Sequence, residues 1–191
     1  MTLVPPLRYT QLSPHVHRGS YPRPVNFPYL RRLQLKTIIS LTPDPITLET
    51  DPALYEYLKR EQIEMIHFPM TKESKKKFKY PSNHQVLEIL KLLIDTRNSP
   101  VYMHCLNGGV VTSLVVACLR KVQLWNTIAI FREFSIFSQG VLSLKDRAFI
   151  EGFRVELKDV VEYDDGGVVA DWLWTGLSMD VVSKHPTLSL N

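Results

Sequence analysis

Short apolar, β-branched runs alternate along this chain with longer stretches in which apolar residues recur at helical spacing. Thr37-Ile-Ile-Ser-Leu41, followed by Pro43 and Pro45, predicts a buried strand. Ile63 to Phe68 and Val101 to His104 predict two more, and Val16 to Ser20 a short one around Gly19. Pro22, Pro24 and Pro28 mark a loop, with Asn26 placed to cap a short helix from Phe27 to Gln34. Asp51 and Pro52 open a helix to Glu61 whose Leu54, Tyr57 and Leu58 share one face. Asn83 opens another, with Val86, Ile89, Leu90 and Leu93 on one side. Val110 to Lys121 is apolar on nearly every side and predicts a buried helix. Two further helices are expected at 124–138 and 143–153, the last with Leu144, Ala148 and Ile150 on its apolar face. Strands alternating with helices imply an α/β sandwich, a central and mostly parallel sheet of four to five strands flanked by helices.

The two ends break this rhythm. Residues 1–14 hold Pro5, Pro6 and Pro14 and predict an extended leading segment. The main domain is then 15–153, and 154–191 is a C-terminal arm. Asp164-Asp-Gly-Gly167 marks a turn in it. Trp172 and Trp174 are costly to leave in water, so the arm either folds back on the core or docks on a partner. The last ten or so residues, 181–191, are expected to fray.

Composition narrows the class. Of 191 residues, 45% are hydrophobic and 22% charged, which is globular rather than disordered. A chain of this length buries about 70% of its unfolded surface and folds without staples. Two cysteines exclude both a disulfide framework and a four-cysteine zinc site. No apolar run approaches the ~20 residues of a membrane span, and the N-terminus lacks a signal-peptide core. A cytoplasmic protein without cofactor or metal is expected. The net charge of +4 permits an anionic ligand, but without an aromatic RNA-reading motif it gives no case for nucleic acid.

The most informative stretch is Val101-Tyr-Met-His-Cys-Leu-Asn-Gly-Gly-Val-Val-Thr-Ser113. A strand enters a short loop with adjacent Gly108 and Gly109, and a helix leaves at once. Glycine permits backbone geometry closed to other residues. A helix start presents free N–H groups and the positive end of its dipole. Together they suit an anion such as phosphate. Cys105 stands at the mouth, where the same field favours the nucleophilic thiolate. The plainer alternative is a tight connection with a buried, inert cysteine. No Gly-Lys-Ser/Thr follows, so the loop is not of the Walker type. Cys118 is thirteen residues beyond Cys105. A continuous helix from Val110 would separate the two by about 12 Å, too far for a disulfide.

His104-Cys105-x-x-Gly108, with Thr112 seven residues after the cysteine, resembles the signature of cysteine-dependent protein phosphatases. The likeness extends further. His17-Arg-Gly-Ser-Tyr-Pro-Arg-Pro-Val-Asn-Phe27, Leu33 to Leu41, Cys118 to Trp125 and Asp146 to Phe153 resemble, in order and spacing, blocks of the plant-and-fungal atypical dual-specificity phosphatase family. Within it the chain looks like a member of the fungal oxidant-induced cell-cycle arrest set. The resemblance covers about residues 15–153. It implies a phosphatase-like sandwich, activity on phosphotyrosine or inositol pyrophosphates, and partners among sibling phosphatase-like proteins in a hetero-assembly. It also implies roles: Cys105 attacks phosphorus, His104 orients the loop, Thr112 donates to the sulfur, and residues 106–111 bind the anion. A loop arginine should grip the equatorial oxygens, and an aspartic acid should protonate the leaving oxygen.

Here the chain departs from the pattern. The arginine position is Val111, and the other loop positions, Leu106, Asn107, Gly108, Gly109 and Val110, carry no charge either. In other phosphoryl-transfer systems such an arginine is worth roughly 10³–10⁵ in rate. No aspartate occurs between Asp51 and Asp95. Glu73 is the candidate acid, but its lysine neighbours favour the ionised form, which has no proton to give. Lys75, Lys76 and Lys77, in the densest basic run, either form a solvated loop or contact a polyanionic ligand. The expectation is a catalytically inactive or strongly impaired pseudophosphatase with a regulatory or scaffolding role. The alternative is an active phosphatase working through a phosphocysteine. A third reading, Cys105 as a redox sensor, requires an exposed thiolate of low pKa.

Overall fold

A computed structural model describes residues 2–70, 72–74, 77–78, 80–140, 142–163 and 165–188, with the backbone alone for 72–74 and 77–78. The chain forms two compact units, Met1–Tyr80 with Asn98–Thr112, and Pro81–Arg97 with Ser113–Asn191.

The first unit carries the sheet. Its strands are β1 (Thr10–Ser13), β2 (Val16–Ser20), β3 (Thr37–Leu41) and β4 (Glu64–His67), then a separate hairpin of β5 (Lys72–Ser74) and β6 (Lys77–Phe78), and finally β7 (Val101–Cys105). The five-stranded sheet has the order β1-β2-β7-β3-β4. All its pairs are parallel except β1 with β2. This is the mixed α/β, mostly parallel architecture that the alternating pattern predicts. The leading segment differs from expectation, because residues 10–13 are an edge strand rather than merely extended. Strands β2, β3 and β7 are buried throughout, as central parallel strands must be.

Helices α1 (Phe27–Arg31) and α2 (Pro52–Arg60) complete this unit. Asp51 caps α2 by accepting the Leu54 amide at 3.0 Å, and Pro52 occupies the first turn, as expected. Asn26 does not cap α1 through its side chain. Its amide oxygen instead accepts the Arg23 N–H at 2.9 Å and its Nδ2 donates to the Val4 carbonyl at 3.1 Å, so it ties the leading segment to the proline loop. Leu30, Leu54, Tyr57 and Leu58 from the helices pack with Ile38 and Tyr102 from the sheet, and Phe27 stacks on Tyr57 at 4.2 Å between centroids. Each large apolar side chain buried in this cluster contributes about 1.5–3 kcal/mol.

The second unit is helical: α3 (Asn83–Ile94), α4 (Val110–Val122, which enters it from the first), α5 (Thr127–Ser138), α6 (Leu144–Gly152), α7 (Leu157–Val161) and α8 (Met179–Ser183). Helix α5 starts three residues later than its apolar pattern suggests. Leu124 adopts a left-handed backbone, φ +62°, and Asn126 accepts the Ile128 amide as cap. Ser143 and Asp146 form a reciprocal capping box on α6. Lys121 donates to the Ile150, Glu151 and Phe153 carbonyls at the end of α6, and burial brings its pKa down to about 8.

The arm folds back within this unit. Trp174 Nε1 donates to the Val122 carbonyl at 2.7 Å, Ala170 N–H to the Ile94 carbonyl, and Arg97 pairs with both Asp95 and Asp165. The expected fraying of 181–191 is not what residues 181–188 show. Val182, Thr187 and Leu188 are buried, and the Val155 and Leu157 amides donate to the Thr187 and Leu188 carbonyls. Among the described residues no helix is long and apolar enough to cross a membrane.

Candidate functional site

Strand β7 lies between β2 and β3, with Cys105 in register with Ser20 on one side and Leu41 on the other. All three strands run parallel, so their carboxyl ends meet at one edge of the sheet, where parallel α/β folds place ligands. Side chains alternate across a sheet. Tyr102 and His104 therefore share the face of Gly19 and Ser40, while Met103 and Cys105 share the face of Arg18, Ser20 and Leu41.

The loop that follows is held by its carbonyl groups. The Leu106 carbonyl accepts the Tyr21 amide at 3.3 Å, the Asn107 carbonyl accepts an Arg8 Nη1 hydrogen bond, and the Gly108 carbonyl accepts Arg18 Nη2 at 2.6 Å. In a trans peptide the C=O and the next N–H point opposite ways. Donors on three consecutive carbonyls thus leave the Asn107, Gly108 and Gly109 amides aimed to the other side. N–H groups ahead of a helix start are the kind of donors that suit an anion. Gly108 is required here twice over. Its φ is +66°, and a Cβ would lie 2.6 Å from the Gly19 carbonyl carbon.

On the amide side stands Asn107, whose Oδ1 accepts the Gly109 N–H at 2.9 Å and lies 3.7 Å from Cys105 Sγ, within reach of its thiol. A neutral amide oxygen thus takes the Gly109 N–H, a donor that an anion's oxygen would otherwise receive. Cys105 is buried at the strand end, whereas Leu106 and Asn107 are exposed. Val110 and Val111 are half-buried on the first turn of α4. Thr112 is fully buried and its Oγ1 has no hydrogen-bond partner among the described residues.

His104 Nδ1 lies 3.4 Å from the Cys105 carbonyl, and since a carbonyl only accepts, that nitrogen carries the proton. The ring meets Tyr21 edge-on at 5.2 Å, and its Nε2 has no hydrogen-bond partner among the described residues. Complete burial brings the imidazole pKa down to about 4. Cys118 is also fully buried, its thiol is pushed far up by that burial, and both cysteines are free.

The structure thus gathers Cys105, His104, Thr112 and residues 106–111 in one loop within one unit. Lys75 and Lys76 lie outside the described residues, as do the side chains of Glu73 and Lys77. Arg8, Arg18 and Tyr21 are additions that sequence reasoning missed. The signal was present in Arg18, a charged residue inside an otherwise strand-like run, beside a glycine. Among the described residues no group of three or more His, Cys, Asp or Glu side chains is placed to hold a metal ion.

Known proteins resemble this chain in sequence and in fold. A model of the family described as "Tyrosine phosphatase family" matches residues 3–166. The chain is 41% identical over 176 residues to the Saccharomyces cerevisiae protein named "Putative tyrosine-protein phosphatase OCA6", covering 86% of this chain and 75% of that one. It is 32% identical over 153 residues to Inositol diphosphatase DSP3 of Arabidopsis thaliana, covering 80% and 73%. Among solved structures, the Siw14 catalytic core superposes with a TM-score of 0.71 at 28% identity, over 87% of this chain and 90% of that one.

Proposed function

The chain belongs to the tyrosine phosphatase family, and from that premise we propose that it is a pseudophosphatase: a phosphatase fold that seats a phosphate-type anion in the Cys105 loop but turns phosphate esters over weakly or not at all. The observation that carries this reading is the loop itself. Its amide-lined cradle and its sulfur are in place, while Val111 and every other side chain from 106 to 111 are uncharged. Phosphoryl transfer depends on stabilising charge on the equatorial oxygens. Backbone N–H groups and the start of α4 bind an anion in the ground state. They lack the bidentate fork that tightens on the transition state. Binding without that differential is occupancy, which suits a regulatory or scaffolding subunit. The likeness to one member of a phosphatase-like set supports a cytoplasmic hetero-assembly with sibling proteins of the same fold.

A second reading is favoured by kinship with relatives named inositol diphosphatases. In it Cys105 attacks a phosphotyrosine or an inositol pyrophosphate, the phosphoryl group passes to sulfur, and water releases it. The required cation would come from the lysines of 72–79 or from a partner.

Turnover decides between them. The purified chain is expected to hydrolyse para-nitrophenyl phosphate and an inositol pyrophosphate no faster than its Cys105→Ser variant, with or without a co-purified partner. Clear Cys105-dependent turnover would establish the second reading instead.

A further inference from the structure

The Cys105 loop lacks a cation of its own, yet two guanidinium groups touch its backbone carbonyls. Arg18 leaves the central strand β2 fully buried and on the same sheet face as Cys105, and it donates to the Gly108 carbonyl at 2.6 Å. Arg8 reaches the neighbouring Asn107 carbonyl from the leading segment. Its backbone adopts φ +53°, a left-handed conformation that costs a non-glycine residue about 1–2 kcal/mol. Strain of this kind persists where the surroundings over-determine it. The two carbonyls belong to consecutive peptides whose N–H ends, at Gly108 and Gly109, face the anion side.

We propose that Arg8 and Arg18 are positioning residues of this loop, whose charges act through the 107–108 and 108–109 peptides to orient and strengthen the inward N–H donors for a tetrahedral oxyanion and for the Cys105 thiolate. The inference rests on the reading of the loop as a phosphate-type anion seat. A peptide whose carbonyl accepts a charged donor is polarised, and its N–H becomes a stronger donor to whatever lies beyond it. Asn107 Oδ1 accepts the Gly109 N–H at 2.9 Å, a hydrogen bond that an anion in the loop would take over. The arginines thus replace part of the field that a residue-111 arginine would supply, but not its grip, since peptide groups separate them from the ligand.

The test uses the full-length chain with Arg8→Met, Arg8→Lys, Arg18→Met and Arg18→Lys. Two quantities are read alongside the thermal midpoint: inorganic phosphate affinity by calorimetry, and the pH midpoint of Cys105 alkylation by iodoacetamide. Cys118 serves as the inert internal control. The ionisable groups around the loop include His104, Tyr102, Arg8 and Arg18, with His67 acting on His104. Burial keeps the His104 imidazole and the Tyr102 phenol neutral between pH 6 and 9.

Arg8→Met and Arg18→Met are each expected to weaken phosphate binding about tenfold and to raise the alkylation midpoint by about one pH unit, the two being the same free energy. The lysine variants should retain most of both, because charge rather than fork geometry is transmitted. Methionine variants that only lower the thermal midpoint, with alkylation and phosphate affinity unchanged, would show the arginines to be structural and overturn the proposal. Should Arg18→Met fail to fold, the half-exposed Arg8 decides the matter alone. A wild-type chain that binds no phosphate refutes the anion-seat reading, while the alkylation midpoints still decide whether the arginines act on the loop.

Discussion

Replacing Val111 with arginine is expected to raise the affinity of the loop for inorganic phosphate or sulfate by about 10–100-fold, since a charge-assisted, bidentate hydrogen bond contributes about 1.5–3 kcal/mol. Position 111 is on the first turn of α4, half-buried and six residues after Cys105. A guanidinium there extends over the ring of amides rather than behind it, and so differs in kind from Arg8 and Arg18. It contacts the ligand and tightens as charge moves to the equatorial oxygens. Cys105-dependent hydrolysis of para-nitrophenyl phosphate should therefore rise from background in the same variant. Its leaving group departs without a proton, so the assay reads the arginine separately from the missing aspartic acid. Calorimetry that finds no gain would mean that residues 106–111 do not hold a cradle open to anions, and the pseudophosphatase reading would lose its basis.

How far this site could be read from the chain depends on the range of the interactions that make it. The loop itself was legible, because Gly108, Gly109 and Cys105 are adjacent in sequence and a strand and a helix bracket them. The central strands were legible too: runs such as Thr37 to Leu41 admit no amphipathic helix and are closed by prolines. Two things stayed hidden. Strand β1 carries a single buried apolar residue, Leu12, so its pairing with β2 leaves almost no period-two pattern. The support behind the loop comes from residues 90 and 99 positions away, Arg18 and Arg8, and their partners are backbone carbonyls, which have no sequence identity at all.

Capping residues show the same division. Asp51 acts within four residues of itself and caps the helix it is expected to open. Asn26 was assigned a local role but is engaged by Val4, far back in the chain. The end of the chain is hard to read from sequence for a related reason. Helix α8 spans five residues and is too short to display a periodicity, so the burial of Val182, Thr187 and Leu188 rests on tertiary partners alone. Local chemistry therefore marks the Cys105 loop, and the contacts that hold its carbonyls are non-local.

Acidification should destabilise the protein in a window set by His104. Its ordinary pKa of 6.5 falls to about 4 in the folded chain because burial penalises the imidazolium. Between those values the unfolded chain binds a proton that the folded chain refuses. Stability consequently rises with pH across the window, is fully present above pH 6.5 and is lost as pH falls toward 4. For a group buried completely the loss is about 3 kcal/mol, a large share of the ~5–15 kcal/mol that holds a domain together. His17 and His185, also lowered by burial, add to the same slope, and the lowered carboxyls of Asp95 and Glu61 extend it to lower pH. His104→Phe isolates the main contributor. Phenylalanine preserves the edge-on packing against Tyr21, removes the unpartnered Nε2, and cannot titrate. Urea unfolding at intervals from pH 7.5 to 4 should show a steep fall in wild type and a slope shallower by about 3 kcal/mol over the window in the variant. Parallel slopes in the two chains would mean that the imidazole is solvated or protonated in the folded loop, and its role in orienting Cys105 would have to be sought in the charged form.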